Sequence, residues 1–181
     1  MTTANKLTVT RIALVPVYLL VLYARFAGAG FVALGVFIAA CLTDFADGYI
    51  ARHYNQVTNF GKFMDPLADK MLVMAALCFF VERGLLPGWA LALVLLREFA
   101  VSGMRMVAAE RGLVIAAAWS GKVKTASTMV CLCIMTLLLE CGYRPWCGAV
   151  NTLCIAVIVG TTVYSGAEYF VKNAKVFRED K

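Results

Sequence analysis

Histidine is nearly absent from this sequence, charged residues are scarce, and no low-complexity stretch or internal repeat interrupts it. A single histidine stands among 181 residues, and the seven cysteines form no CxxC pair. That excludes the His/Cys ligand sets that hold zinc. Most of the cysteines fall in apolar runs and read as small packing residues. Cys141 and Cys147 flank one loop, where a disulfide is open. Charged side chains are 15% of the chain, against about a quarter in an ordinary soluble domain. An ordinary soluble domain is excluded on that ground, and no linker marks off a second module.

What fills the chain instead is hydrocarbon: 62% of the residues are hydrophobic. Apolar runs of membrane-spanning length recur from end to end. They predict an all-α bundle of six transmembrane helices near 7–26, 31–54, 63–83, 88–110, 119–141 and 148–171, forming one integral membrane domain over 1–181. Glycine and proline punctuate the short connections, as at Gly28–Gly30, Gly84–Gly88 and Gly142–Gly148. An even number of spans puts both termini on one side. That side collects most of the basic residues, from Lys6 and Arg11 to Arg178 and Lys181, while the opposite loops hold only Arg25, Arg83 and Arg144. The positive-inside rule makes it the cytoplasm. The net charge of +6 therefore points to a lipid surface and not to nucleic acid. Lys6, Arg11 and the small residues around Phe26–Ala29 imitate a signal peptide, but five further spans favour an uncleaved first helix. Trp89, Trp119 and Trp146 lie near span ends, where interfacial anchoring accounts for them.

Four carboxylates break the apolar pattern: Asp44, Asp47, Asp65 and Asp69. Placing one Asp at the centre of a membrane helix costs about 2.5–3.5 kcal/mol on insertion scales, so such residues need a partner or a task. On a helix, Asp44, Asp47, Gly48, Ala51 and Arg52 share one face. Gly61, Asp65 and Asp69 repeat the arrangement on the next helix, which Pro66 would open in its first turn. The short intervening connection returns the second helix antiparallel, so the two acidic faces can meet. Such an oxygen-rich cage suits Mg2+ or Mn2+. Gly48, Ala51 and Gly61 leave room for a bulky group, and Arg52 can grip phosphate with two N–H groups. His53, beside this cluster, reads as a surface residue. Intramembrane acids also line ion pathways, so a divalent-cation transporter is the alternative of another class. It leaves the Gly48, Ala51, Arg52 and Gly61 spacing without a purpose.

At these residues the chain resembles the CDP-alcohol phosphotransferase family, whose signature D-x2-D-G-x2-A-R-x8-G-x3-D-x3-D is matched at every fixed position from Asp44 to Asp69. The resemblance implies transfer of a phosphatidyl group from a CDP-linked lipid to an alcohol at the inner leaflet of the cell membrane, with CMP leaving, by a homodimer. It implies that Asp44, Asp47, Asp65 and Asp69 hold two divalent ions and that Asp69 is also the general base. Residue spacing alone does not choose between Asp65 and Asp69 for that role. It further implies that Gly48, Arg52 and Thr58 hold the CDP-lipid head group. Asn5–Thr8 resemble the nucleotide-side segment, although the proline common before that asparagine is Ala4 here.

The segments Asn5–Arg11, Gly61–Lys70, Arg97-Glu98 with Arg105, and Gly121–Thr125 resemble the branch that takes CDP-diacylglycerol and sn-glycerol 3-phosphate. Serine, an inositol phosphate and phosphatidylglycerol are the alternative acceptors. A phosphorylated acceptor needs cations, and Arg97, Arg105 and Lys122 are the candidates. Arg97 and Arg105 are about 80° apart around a helix. Arg97 has a structural alternative, a pair with Glu98 or Glu168, and Lys70 is a candidate counter-charge beside Asp69. For Lys124 and Arg111 snorkelling to the interface is the expectation.

Overall fold

The computed structural model describes the backbone of residues 3–24, 26–53, 59–110, 118–141 and 145–174, and the side chains of 9–24, 26–43, 70–110, 118–141 and 146–174. Thr58 and Arg111 lie outside the described residues. The described backbone is all-helical, with six helices: α1 (Thr3–Tyr23), α2 (Ala29–His53), α3 (Asn59–Glu82), α4 (Gly88–Glu110), α5 (Trp119–Glu140) and α6 (Pro145–Lys172). Each overlaps one predicted span, the ends differing by a few residues.

One expectation is corrected. Helix α3 starts at Asn59, not near Asp65, so Pro66 lies in the helix interior and not in its first turn. A proline deletes one N–H and crowds one carbonyl, a local cost that does not end the helix here. Pro16 is likewise carried inside α1.

The helices close into a ring. α1 packs on α2, α2 on α5, α5 on α6, α6 on α4, and α3 returns to α1; the seam between α3 and α4 is the thinnest. Tyr18, Phe37, Leu77, Phe79, Phe80, Leu132, Met135 and Ile158 form the buried apolar centre. Large apolar side chains also face outward, among them Leu20, Phe31, Phe99 and Val171, the last 77% exposed. Water would penalise such a surface at about 25 cal/mol per Å2, and lipid would not. α5 and α6 are each long and apolar enough to cross a membrane.

The turn end of the bundle is closed by paired polar groups. Gly28 (φ 86°) and Gly84 (φ 69°) take left-handed turns open to glycine. The Gly28 and Gly30 N–H groups, at the start of α2, donate to Glu140 at 3.2 and 2.5 Å. A Cβ at Gly30 would lie 2.7 Å from Glu140 Cγ. Leu85 and Leu86 N–H both donate to Phe80 C=O, and Asn151 Nδ2 donates to Leu85 C=O at 2.8 Å. Tyr23 donates to Glu82. No disulfide joins Cys141 to Cys147.

Candidate functional site

The opposite end opens into a cleft of about 730 Å3 between α3, α4, α5 and α6. Helical spacing builds its walls. Arg97, Glu98, Val101, Ser102 and Arg105 form one face of α4, and Lys70, Val73 and Met74 one face of α3. α5 contributes Gly121, Lys122, Lys124, Thr125 and Met129, and α6 contributes Tyr169. Among the described residues the lining charges are Lys70, Arg97, Arg105, Lys122 and Lys124 against one carboxylate, Glu98. An anion belongs in such a place.

Glu98 is the hub. Its Oε1 accepts from Lys124 Nζ at 2.8 Å and from Arg97 Nη1 at 2.9 Å, while Lys70 Nζ lies 3.3 Å from Oε2. Lys70 also donates to Ser102 Oγ at 2.8 Å. The Glu98 side chain is 12% exposed, that of Arg97 12% and that of Lys124 4%, so the Arg97 and Lys124 contacts are shielded from solvent and screened little, whereas Lys70 is 38% exposed and its contact is screened more. Lys124 therefore overturns the snorkelling expectation: it points inward because a buried carboxylate on α4 meets it. Of the two partners open to Arg97, the structure selects Glu98; Glu168 instead pairs with Lys172 one turn along α6.

Arg97 is held on several sides. Its Nε donates to Ser165 Oγ at 3.1 Å. A Cβ on Gly121 would lie 3.1 Å from its Nη2, and one on Gly166 3.3 Å from its Cγ. Two helices thus omit side chains where the guanidinium passes. Arg105 lies over the Tyr169 ring, 5.6 Å from its centroid, and its Nε donates to the phenolic oxygen at 3.1 Å. Tyr169 is buried at 1% exposure and so a fixed support. Lys122 stands 5.7 Å from the centroid of the Trp119 ring, giving that exposed tryptophan a contact at the cleft beyond anchoring.

Arg97, Arg105 and Lys122, the predicted acceptor-phosphate residues, are thus brought to one cleft. Ser102, Lys124, Ser165 and Tyr169 were missed as parts of it. The inward face of α5 signalled Lys124, which falls four residues from both Ser120 and Thr128, themselves buried. Nothing local marks Tyr169.

Asp44, Asp47, Gly48, Ala51 and Arg52 lie on the last turns of α2, Gly61, Asp65 and Asp69 on the first turns of α3, and Asn5 and Thr8 on α1. The side chains of all ten are outside the described residues. Helices α1, α2 and α3 pack on one another. The acids are hard oxygen donors spaced three apart on α2 and four apart on α3, a donor set that fits Mg2+ or Mn2+. Among the described residues no group of three His, Cys, Asp or Glu side chains could hold a metal. Lys70 follows Asp69 directly and lines the cleft, so the α3 backbone that carries Asp69 adjoins it.

Comparison with known proteins adds two findings. The profile of the CDP-alcohol phosphatidyltransferase family matches residues 1–164. The CDP-diacylglycerol–glycerol-3-phosphate 3-phosphatidyltransferase of Bacillus subtilis is 42% identical, over 93% of each chain. A probable phosphatidylglycerophosphate synthase of Mycobacterium tuberculosis is 37% identical, over 93% of this chain and 80% of its own. A Rickettsia bellii protein with the same name as the Bacillus one is 35% identical, over 96% of both chains.

Proposed function

Because this chain belongs to the CDP-alcohol phosphatidyltransferase family, we infer that it transfers the phosphatidyl group of CDP-diacylglycerol to sn-glycerol 3-phosphate. The products are phosphatidylglycerophosphate and CMP. The names of its relatives support this donor and acceptor. The single observation that carries a phosphorylated acceptor is the cleft with, among the described residues, five cations to one carboxylate; the relatives' names favour glycerol 3-phosphate over an inositol phosphate. Neutral serine has no phosphate to fill it, and cation transport leaves it without a role.

In this reading the acceptor phosphate is held by Arg97, Arg105 and Lys122, with Lys124 and Lys70 adding positive potential. Arg97 presents Nη2, the nitrogen beside Gly121, and Arg105 presents its Nη groups, since its Nε is taken by Tyr169. Arginine forks suit the tetrahedral oxygens of a phosphate. Anchoring the phosphate turns a free hydroxyl of the acceptor toward the acidic helix ends and replaces a bimolecular encounter with an oriented one. Asp69 takes the hydroxyl proton as the oxygen attacks the phosphorus of the phosphatidyl group. A P–O bond forms to the acceptor, and the anhydride bond to CMP breaks. Asn5, Thr8, Gly48, Ala51, Arg52, Thr58 and Gly61 bind the CDP-lipid head group.

The family is generally dependent on divalent metal. Asp44, Asp47, Asp65 and Asp69 would hold two Mg2+ or Mn2+ ions, which supply neutralisation of the diphosphate and of the departing CMP. The chain is one integral membrane domain of six spans in the cell inner membrane, a homodimer, with both termini and the active site facing the cytoplasm. The donor's acyl chains stay in the bilayer while its head group enters the polar end of the bundle.

The test is CMP release from CDP-diacylglycerol in mixed micelles with different acceptors, with and without chelator. Glycerol 3-phosphate is expected to support metal-dependent release. Release with serine, inositol phosphate or phosphatidylglycerol but not with glycerol 3-phosphate would refute the acceptor assignment.

A further inference from the structure

We propose that Glu98 is a positioning residue of the transfer reaction. Its carboxylate gathers Lys70, Arg97 and Lys124 and so holds Arg97, one of the proposed acceptor-phosphate cations, in register with the turn of α3 that precedes Lys70. The proposal rests on the acceptor reading given above and adds a role for a residue of the same sign as the substrate.

An anion in a phosphate pocket is at first sight a rival of the ligand. The geometry points the other way. Arginine carries five N–H groups and lysine three, and Glu98 occupies one nitrogen of each: Arg97 Nη1, Lys124 Nζ and Lys70 Nζ. Ser165 takes Arg97 Nε. Nη2 of Arg97 remains beside Gly121 on the cleft wall. Glu98 therefore takes one N–H of each cation and does not exhaust the donors that line the cleft.

The three cations come from three helices, α3, α4 and α5. Without the carboxylate they would repel one another in a partly desolvated place and drift apart. The α3 arm is the informative one. Lys70 is the residue after Asp69, and its amine is held by both Glu98 and Ser102 of α4. This link crosses the thinnest seam of the ring. It ties the helix that carries the proposed base to the helix that carries the phosphate cations. The hydroxyl reaches its base only if the phosphate site and α3 keep their spacing, and misplacement by about 1 Å can cost ~100-fold in rate.

The experiment is steady-state kinetics of the full chain in CDP-diacylglycerol mixed micelles. Glu98→Gln keeps the shape and removes the charge. It should raise the KM for glycerol 3-phosphate about tenfold or more while the KM for CDP-diacylglycerol stays within about twofold. Glu98→Asp, which keeps the charge, should recover part of the acceptor KM. Lys70→Gln cuts the α3 arm and also removes one cleft cation; the lost cation should appear in the acceptor KM and the lost arm as a kcat about fivefold lower, and adding it to Glu98→Gln should cost little more in kcat, because the link is already broken.

A loss of folded protein cannot raise one KM and spare the other. Equal rises in both KM values, an unchanged acceptor KM in Glu98→Gln, or independent effects in the double variant would overturn the positioning role. If Glu98→Gln does not accumulate in membranes, Lys70→Gln decides, and wild-type kcat there overturns the proposal. Wild-type protein that releases no CMP with glycerol 3-phosphate fails at the activity itself, a result distinct from any of these.

Discussion

The two ends of the bundle use polar groups in opposite ways. At the turn end the polar groups are matched: Glu140 receives the Gly28 and Gly30 N–H groups, Tyr23 meets Glu82, and Asn151 closes on Leu85. These bonds satisfy helix ends and turns. At the cleft end, among the described residues, five cations face one carboxylate: Lys70, Arg97 and Lys124 pair with Glu98, while Arg105 and Lys122 do not. Matched polar groups serve the fold, and a surplus of one sign creates a demand that a ligand meets. The contrast puts a surplus of cations, among the described residues, at one end of the bundle.

Substitutions at the two ends should separate along that line. The largest effect is expected at the proposed base, the residue before Lys70: Asp69→Asn should lower kcat by about 100- to 10,000-fold while CDP-diacylglycerol binding, measured by equilibrium binding in detergent, persists. Wild-type turnover would remove Asp69 from the role. Next, Arg105→Ala should raise the acceptor KM about tenfold with the donor KM unchanged, the signature of lost ground-state binding. An equal change in both would break the assignment of Arg105 to the acceptor.

Gly121→Ala is subtler. The added Cβ would stand 3.1 Å from Arg97 Nη2, so the guanidinium must shift by a few tenths of an ångström, and the acceptor KM should rise about threefold. A wild-type KM would show the slot to be looser than its packing. The smallest kinetic effect is expected at the matched end. Glu140→Ala should leave both KM values and kcat near wild type, yet lower thermal stability in detergent, by about 1–3 kcal/mol for two backbone N–H groups left without their charged acceptor. A change in acceptor KM there would erase the distinction between the two ends.

Much of this was legible in the residue order because the informative features are local. Apolar runs of spanning length announce the helices, and α4 begins and ends where the hydrophobic pattern and its flanking glycine put it. The acids Asp44, Asp47, Asp65 and Asp69 stand within one short segment, so helical spacing alone groups them. The basic cleft is different in kind. Lys70, Glu98, Lys124 and Tyr169 are far apart in the chain and meet only because α3, α4, α5 and α6 pack around one opening. Lys124 misled for the same reason: a lysine near a helix start reads as a snorkelling residue until a carboxylate on another helix is seen opposite it. The start of α3 misled because proline is a strong local signal, and here the helix runs through it.

Gly121 and Gly166 carry one more consequence. The path of Arg97 is shaped by two hydrogens standing where methyl groups would intrude, so part of the recognition apparatus consists of absent matter. A catalogue of reactive side chains undercounts such machinery. Swapping Arg97 for lysine would keep the positive charge yet forfeit the flat, forked profile that this gap accommodates.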